Sequence, residues 1–260
     1  MKWSDFFSIM ERIGGRYFMF GGIAFLIFYV LFRNRWNYKK IQHRFPRAKD
    51  YLREIGYSIL TIAIFTSVTV FFVKNPPVTK YTFYYRDIAQ HGRFYFFAIF
   101  PLLFIIHDTY FYWMHRWMHL PAVFPIFHKV HHLSTNPSPW AAYAFHPLEA
   151  VVEAGILPVF LFTLPIHFLH LLIFFLVMIV YNVYGHLGWE LYHAGFNKTI
   201  VGKWINTSFN HNQHHQFFKG NYGLYFTFWD RMMGTIRKDY DKKFEELGTR
   251  TREQGLEVVH

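Results

Sequence analysis

Histidine is the residue type in this chain whose number and spacing could support chemistry. Six of the seventeen histidines fall within residues 107–132, where the sequence reads HDTYFYWMHRWMHLPAVFPIFHKVHH. Eight histidines of the chain recur at regular spacings. One pair lies four residues apart, and two groups have spacings of three and one: His115 and His119; His128, His131 and His132; His211, His214 and His215.

These spacings place imidazoles together if the segments are helical. Residues three and four apart share one face of a helix, which predicts a two-imidazole pincer and two three-imidazole faces. Imidazole suits iron, copper, zinc and nickel. Eight ligands exceed the needs of one ion and would hold two ions with open coordination positions. Two such metals in a membrane bundle suit the activation of dioxygen against an apolar substrate.

Other metal chemistries fit the sequence less well. In the segment HRWMH, Arg116 stands where a zinc protease of the HExxH type has its general-base glutamate. A carboxylate-bridged di-iron bundle needs two Glu-x-x-His pairs, which the sequence lacks. The chain has no cysteine, which excludes disulfides, thiolate zinc sites and an intrinsic iron–sulfur cluster. Any metal is therefore held by nitrogen or oxygen.

Composition places the chain among membrane proteins. It is 53% hydrophobic and 23% aromatic, with long apolar runs. Its formal net charge is +11, but the basic residues cluster beside apolar segments, as in cytoplasmic juxtamembrane loops. We therefore predict a membrane protein and no nucleic-acid partner.

The apolar runs predict several membrane helices. Residues 17–32 and 55–73 read as the first two spans, with a strongly basic, cytoplasmic loop between them. An amphipathic stretch before the first span suggests a helix lying along the bilayer surface, with a plain leader into that span as an equal alternative. A third span begins near Phe94 and continues into the histidine-rich segment. Counting crossings places that segment on the cytoplasmic side.

The second half of the chain predicts a hairpin in the membrane. Residues 133–147 contain three prolines and read as an ordered loop. Two apolar helices at 148–164 and 166–184, separated by Pro165, would enter the bilayer and return. Residues 241–260 are charged and read as a frayed polar tail. The predicted fold class is all-α: a membrane helical bundle with a cytoplasmic, histidine-rich di-metal domain.

The histidine groups and their surroundings resemble a known family. HRWMH, HKVHH and HNQHH match the HxxxH, HxxHH and HxxHH boxes of the fatty acid hydroxylase and sterol desaturase superfamily. Flanking residues agree in order and type: Asp108 with Phe111-Tyr112-Trp113, Ala144 to Pro147, Asn182 to His186 with Glu190-Leu191, Asn221-Tyr222-Gly223, Trp229-Asp230 and Gly234-Thr235. The resemblance covers about residues 94–240, and residues 1–93 carry no comparable signature.

The resemblance implies a membrane-bound, non-haem di-iron oxygenase that uses O2 to hydroxylate or desaturate a lipid C–H bond. It implies two iron ions, with zinc possible in purified protein, at the eight histidines above and at His186 as a ninth ligand. The two electrons would come from an external protein resembling cytochrome b5 or ferredoxin. Residues 1–93 would then be an N-terminal anchor, 94–240 the catalytic domain and 241–260 a tail.

Three polar residues are candidates for supporting roles. Asp108 lies seven residues before His115, at nearly the same helical azimuth, and could orient a ligand imidazole. A helix-end salt bridge, for example with Arg116, is an equal alternative. His107 lies about 80° around the helix from His115 and is assigned a supporting or pocket role. His146 is either a supporting residue or a structural loop histidine, with the structural role slightly favoured.

Several aromatic and acidic residues complete the set. Trp113, Trp140 and Tyr143 are candidate substrate-binding residues, although such residues more often serve packing. Three glutamates, Glu149, Glu153 and Glu190, are interpreted as near the site in sequence only.

Two kinds of alternative stay open. One keeps the scaffold and changes the substrate, as in alkylglycerol ether cleavage or carotenoid hydroxylation. The other is a histidine-rich metal-binding or transport protein without redox chemistry, although a transporter usually places its ligands near mid-bilayer between spans. The length and the C-terminal sequence favour a bacterial inner membrane over the endoplasmic reticulum.

Overall fold

The structure, a computed structural model, describes the backbone of residues 2–257 and the side chains as far as residue 250. The described chain is mostly helical, which confirms the predicted all-α class with membrane helices. The described residues form eleven α-helices and two very short strands. In chain order these are α1 Trp3–Phe25, α2 Ala48–Val73, α3 Pro76–Thr79, β1 Tyr84–Tyr85, α4 Gly92–Met118, α5 Phe124–Phe127, α6 Pro147–Ala154, α7 Ile156–Thr163, β2 Ile166–His167, α8 Phe168–Gly185, α9 Ser208–Phe217, α10 Phe228–Met232 and α11 Tyr240–Glu257.

Four of the described helices are long and apolar enough to cross a membrane: α1 with its π-helical extension Leu26–Leu31, α2, α4 and α8. The sequence left open a surface helix or a leader that runs into the first span. The structure has one continuous helix from Trp3 to Leu31, because no proline separates the two apolar stretches and the helix accommodates Gly14 and Gly15.

The predicted membrane hairpin is uneven. Its first arm breaks at Gly155 into α6 and α7, each of eight residues, and only α8 is long enough to span. Between the arms, β2 pairs in parallel with β1, so that Tyr84 faces Ile166 and Tyr85 faces His167. This pairing ties the turn of the hairpin to the segment that precedes α4.

A buried turn joins the membrane helices to the histidine-rich region. Residues Pro139–Tyr143 form a 3-10 helix that packs between α1, α2 and α8. The carbonyl of Trp140 accepts hydrogen bonds from the hydroxyls of Tyr17 at 2.8 Å and Ser58 at 3.1 Å. These bonds attach the turn to α1 and α2, and they fix the loop that follows His128–His132.

The C-terminal segment is not the frayed tail that its charge suggested. It forms α11, which packs Tyr240, Phe244 and Leu247 against Phe209 of α9. Three buried apolar side chains spaced along one face of a charged helix are enough to dock it. Residues 258–260 of the predicted tail lie outside the described residues.

Candidate metal centre

The nine predicted histidine ligands come together in two groups, each with its nitrogen atoms within 4.8 Å of one another. The five-histidine group contains His115, His119, His128, His132 and His214. The four-histidine group contains His131, His186, His211 and His215. The rings of His132 and His215, one from each group, are stacked with centroids 4.9 Å apart, so the groups adjoin.

Within each group the Nε2 atoms converge. In the five-histidine group, Nε2 of His132 lies 3.2 Å from that of His119 and 3.0 Å from that of His214. The Nε2 atoms of His115 and His128 are also 3.0 Å apart. A metal bound about 2.0–2.1 Å from each nitrogen separates neighbouring donors by roughly 2.8–3.0 Å in octahedral geometry and roughly 3.3–3.4 Å in tetrahedral geometry.

His186 is the hub of the four-histidine group. Its Nε2 atom lies 3.0 Å from that of His211, 3.2 Å from that of His215 and 3.3 Å from that of His131. His186 follows the last residue of α8, so the membrane hairpin delivers it to the site.

Each HxxHH segment contributes to both groups, and the two do so in opposite ways. His128 and His132 join the five-histidine group while His131 joins the other. On α9, His211 and His215 join the four-histidine group and His214 crosses to the five-histidine group. Adjacent residues on a helix diverge by about 100°, which sends His214 and His215 to different centres.

The first HxxHH segment is not on an α-helix as predicted. His128 caps the short helix α5, and His131–Leu133 form a 3-10 turn. The sequence at this point has Pro125 and two aromatic residues in a four-residue helix, too little to propagate a regular turn. The imidazoles nevertheless converge, because tertiary contacts fix the turn.

The hydrogen bonds that the Nδ1 atoms make determine which ring nitrogen is free to bind a metal. Backbone carbonyls accept from Nδ1 of four histidines: Tyr222 for His115 (2.9 Å), Gly220 for His214 (2.8 Å), Ser134 for His215 (2.9 Å) and Asn182 for His186 (2.8 Å). A carbonyl can only accept, so Nδ1 carries the hydrogen and the Nε2 lone pair points to the centre. Close Nε2 pairs without hydrogens repel each other, which a shared cation relieves.

Burial favours the neutral imidazoles that a metal requires. It lowers the pKa of His128, His131 and His132 well below the ordinary value, and the neighbouring imidazoles lower it further. The pKa of His186 falls to about 4, again because of burial. Neutral imidazoles are the metal-binding form, so the donor set fits two borderline transition-metal ions such as iron or zinc.

A carboxylate that the sequence interpretation set aside also contacts the centre. Oε1 of Glu149 lies 2.6 Å from Nδ1 of His128, and both side chains are buried. Burial raises the pKa of Glu149, while a cation on the far side of the imidazole would lower it again. The available signal was a pair of acidic residues, Glu149 and Glu153, in an otherwise apolar segment, where a buried carboxylate requires a partner.

The sequence predicted that Asp108 orients a ligand imidazole or forms a salt bridge with Arg116. The structure shows neither contact. The Oδ1 atom of Asp108 accepts hydrogen bonds from the backbone amides of Tyr225 at 2.8 Å and Phe226 at 3.1 Å. It therefore anchors the loop whose Tyr222 carbonyl holds His115. The effect on the imidazole passes through this loop.

The other two supporting candidates divide. Nδ1 of His107 lies 3.0 Å from the hydroxyl of Tyr225, and His107 lines a cavity, in agreement with a pocket position. His146 caps α6 through a 3.3 Å hydrogen bond from the amide of Leu148, which is the structural role that the sequence slightly favoured.

An apolar cavity of about 230 Å³ runs toward the histidine groups. Its inner wall includes Phe111, whose ring centroid is 4.9 Å from His115, and Phe145, 5.1 Å from His131. Asn182 also lines it, and the Asn182 carbonyl holds Nδ1 of His186. The cavity thus ends against side chains that touch both groups.

Of the three predicted substrate-binding residues, only Tyr143 lines this cavity. Trp113 is 40% exposed and packs on Trp229, on the outside of the bundle. Trp140 packs against Phe25 and Tyr17. Both tryptophans therefore serve packing, as large aromatic side chains more often do.

The sequence profile described as Fatty acid hydroxylase matches residues 100–235, more than half of the chain and all nine clustered histidines. The chain belongs to the fatty acid hydroxylase family. Three relatives illustrate the proteins to which the chain is similar. It is 31% identical over 238 residues to a Delta(7)-sterol 5(6)-desaturase of Gibberella zeae, covering 88% of the chain and 68% of the relative.

A Delta(7)-sterol 5(6)-desaturase of Leptosphaeria maculans is 30% identical over 230 residues, covering 88% of this family member and 60% of the relative. A human lathosterol oxidase is 30% identical over 183 residues, covering 69% and 56% of the two chains. The chain therefore spans only about three fifths of the length of these relatives. No solved structure matches the chain.

Two further carboxylates position parts of the site without touching an imidazole. Glu190 accepts a hydrogen bond from the amide of Phe209 at 2.9 Å, in the first turn of α9. Glu54 of α2 accepts from the hydroxyl of Ser134 at 2.7 Å and from that of Ser138. Because the Ser134 carbonyl holds His215, α2 is connected to the four-histidine group.

Proposed function

We propose that this chain is a membrane-bound, O2-dependent di-iron oxygenase that hydroxylates or desaturates a C–H bond of a lipid. The observation that carries the proposal is the pair of adjoining Nε2 clusters at the closed end of an apolar cavity. A metal transporter would not need a lipid-sized, apolar approach to its ligands. The family of the chain supports the same class of chemistry.

The two groups of histidines would each hold one iron ion, and the bound irons would activate O2 with two electrons from a donor protein. For five of the nine histidines, the protein keeps the Nε2 lone pair available by holding the Nδ1 hydrogen on a carbonyl or carboxylate. Phe111 and Phe145 exclude water from the space between the cavity and the imidazoles. The hydrogen bond between Nδ1 of His107 and the hydroxyl of Tyr225 fixes the orientation of His107 at that wall.

The relatives support oxidation of a C–H bond, because desaturase and oxidase appear in their names. We assign the catalytic unit to residues 94–240, which contain the matched segment. Residues 1–93 then anchor it. Alkylglycerol ether cleavage and carotenoid hydroxylation have no observation here that favours them.

We place the active site on the cytoplasmic side, because the basic loop between α1 and α2 lies on the side of the histidines. The curated relatives come from fungi and mammals, which favours the endoplasmic reticulum over the bacterial inner membrane indicated by the sequence alone. The electrons come from a separate donor protein.

The test is expression of the chain in a host membrane under ¹⁸O2, followed by lipid mass spectrometry. Hydroxylation adds one ¹⁸O atom to a lipid, and desaturation removes two hydrogens. The control is His131→Ala, which removes one ligand of the four-histidine group. A new lipid product that persists in His131→Ala would show that another centre makes it.

A further inference from the structure

The open end of the apolar cavity carries two arginines of a membrane helix. Arg12 and Arg16 lie one turn apart on α1 and line the cavity together with Ile9 and Ile13 of the same face. Arg12 is exposed and Arg16 is half-buried, whereas His107 at the inner end is buried. Ionisable residues within a membrane span are costly and generally mark a functional pathway.

Neither arginine has an acidic partner among the described residues. Lys74, the third cation of the lining, pairs with Asp5 at 3.8 Å, but Arg12 and Arg16 make no ion pair and no hydrogen bond there. Two guanidinium groups one turn apart also repel each other. An uncompensated pair facing an apolar space leaves ten N–H donors for something that enters the cavity.

The opposite wall does not neutralise them. Glu153 of α6 is the one carboxyl among the cavity-lining residues, and it forms no ion pair with either arginine. Burial raises the pKa of Glu153 to about 8, so its carboxyl is mostly neutral near pH 7. The open end of the cavity therefore keeps a net positive charge.

The cavity is long as well as apolar. On α8 its lining runs from Phe168 to Asn182, which corresponds to about 21 Å along the helix axis at 1.5 Å per residue. Asn182 holds His186 and Phe168 is at the exposed end. The two arginines and the side chains that face the histidines thus line the same apolar passage, which suits a hydrocarbon chain.

We propose that the substrate is an acidic lipid whose carboxylate or phosphate binds Arg12 and Arg16 while its hydrocarbon chain extends toward the histidines. This inference rests on the proposed function, because it takes the cavity to be the substrate site. Its test measures binding alone and does not depend on the oxidation reaction. Planar guanidinium groups match the oxygens of carboxylates and phosphates in paired hydrogen bonds. A neutral sterol, the substrate type in the names of the relatives, would leave both arginines uncompensated.

The test is equilibrium binding to the metal-free, full-length protein in a neutral detergent. The probes are oleate, 1-oleoyl lysophosphatidate, methyl oleate and lathosterol. We expect the acidic probes to bind about tenfold or more tightly than methyl oleate, as a charge-assisted pair requires. Tight binding of oleate identifies a carboxylate and of lysophosphatidate a phosphate. Equal binding of oleate and its methyl ester, or preference for lathosterol, would overturn the inference.

A matched pair of variants locates the effect. Arg12→Gln with Arg16→Gln should abolish the preference for acid over ester and leave binding of methyl oleate unchanged. Arg93→Gln, an exposed arginine outside the cavity, should keep the preference. Equal loss in both would refute the assignment. Acid preference without lipid oxidation in cells would refute only the proposed function, because binding is measured without metal.

Discussion

Nδ1 of His128 lies 2.6 Å from Oε1 of Glu149, with the two side chains only 3% and 1% exposed. His128 belongs to the five-histidine group, so this carboxylate stands directly behind a proposed metal ligand. A carboxylate in that position fixes the orientation of the imidazole and increases its basicity. The contact also connects α6, the first arm of the membrane hairpin, to the metal centre.

Replacing Glu149 by Gln should therefore weaken metal binding without leaving a void in the packing. The amide keeps the size of the side chain but removes the negative charge. Loss of such a partner typically costs 10–100-fold in metal affinity. Competition with a graded series of chelators measures the change.

The control is Glu153→Gln in the same helix, because Glu153 lines the cavity and touches no clustered histidine. It should retain wild-type metal affinity. If Glu149→Gln matches that control, the carboxylate has no role at the centre.

His186→Ala should remove one of two metals. His186 approaches three other Nε2 atoms of the four-histidine group, so its loss leaves three spread donors around a vacated position. The five-histidine group keeps all its members. Metal analysis of purified protein should fall from about two ions per chain to about one.

His193→Ala is the comparison, since the His193 imidazole bonds only the carbonyl of Ala194 outside the site. It should keep the wild-type metal content. Unchanged stoichiometry in His186→Ala would contradict the division of the histidines into two centres.

Asp108→Ala should destabilise the protein through the loop that follows α9. Asp108 accepts from two backbone amides, those of Tyr225 and Phe226, and the Asp108 side chain is only 2% exposed. Removing the acceptor leaves buried amides unpaired, which lowers the free energy of unfolding by about 1.5–3 kcal/mol. Denaturation in detergent, followed by far-UV circular dichroism, measures it.

Asp87→Ala removes an exposed carboxyl that accepts only from the amide of Ala89. Its cost should stay near or below about 1 kcal/mol, in the range of an exposed cap. A cost for Asp108→Ala no greater than this would argue against the anchoring role.

Lys40 should give the stability a distinctive pH dependence. Its side chain is 0% exposed, and burial lowers its pKa from the ordinary value to about 7. The ammonium lies 4.2 Å from the ring of Trp189, a contact that favours the charged form but does not restore full solvation. Between pH 7 and about 10.4 the unfolded chain binds the proton and the folded chain does not, so stability rises with pH across that window.

Lys40→Met should flatten this rise, and stability near pH 7 should increase because no cation remains to be desolvated. Lys39→Met, next to it on the less buried side, should keep the wild-type slope. The measurement is denaturation at a series of pH values. An identical slope in wild type and Lys40→Met would refute the prediction.

The sequence already specified the membrane helices α2, α4 and α8, because long apolar runs leave few other structures. It left the N-terminal segment open between a surface helix and a leader, and that segment is part of α1. It misjudged the charged C-terminal segment, which docks as α11 through Tyr240, Phe244 and Leu247. The many charged residues of α11 masked its weak apolar stripe in the sequence. In the structure, burial of that stripe holds α11 against the rest of the protein.

For the site, spacing identified eight of the nine histidines that the structure gathers, and the family resemblance added His186. Only the tertiary structure decided their partition, in which each HxxHH segment serves both groups. It also decided the supports. Most Nδ1 acceptors are backbone carbonyls, such as those of Tyr222 and Ser134, and every residue has a carbonyl, so no residue type can reveal which one the fold will use.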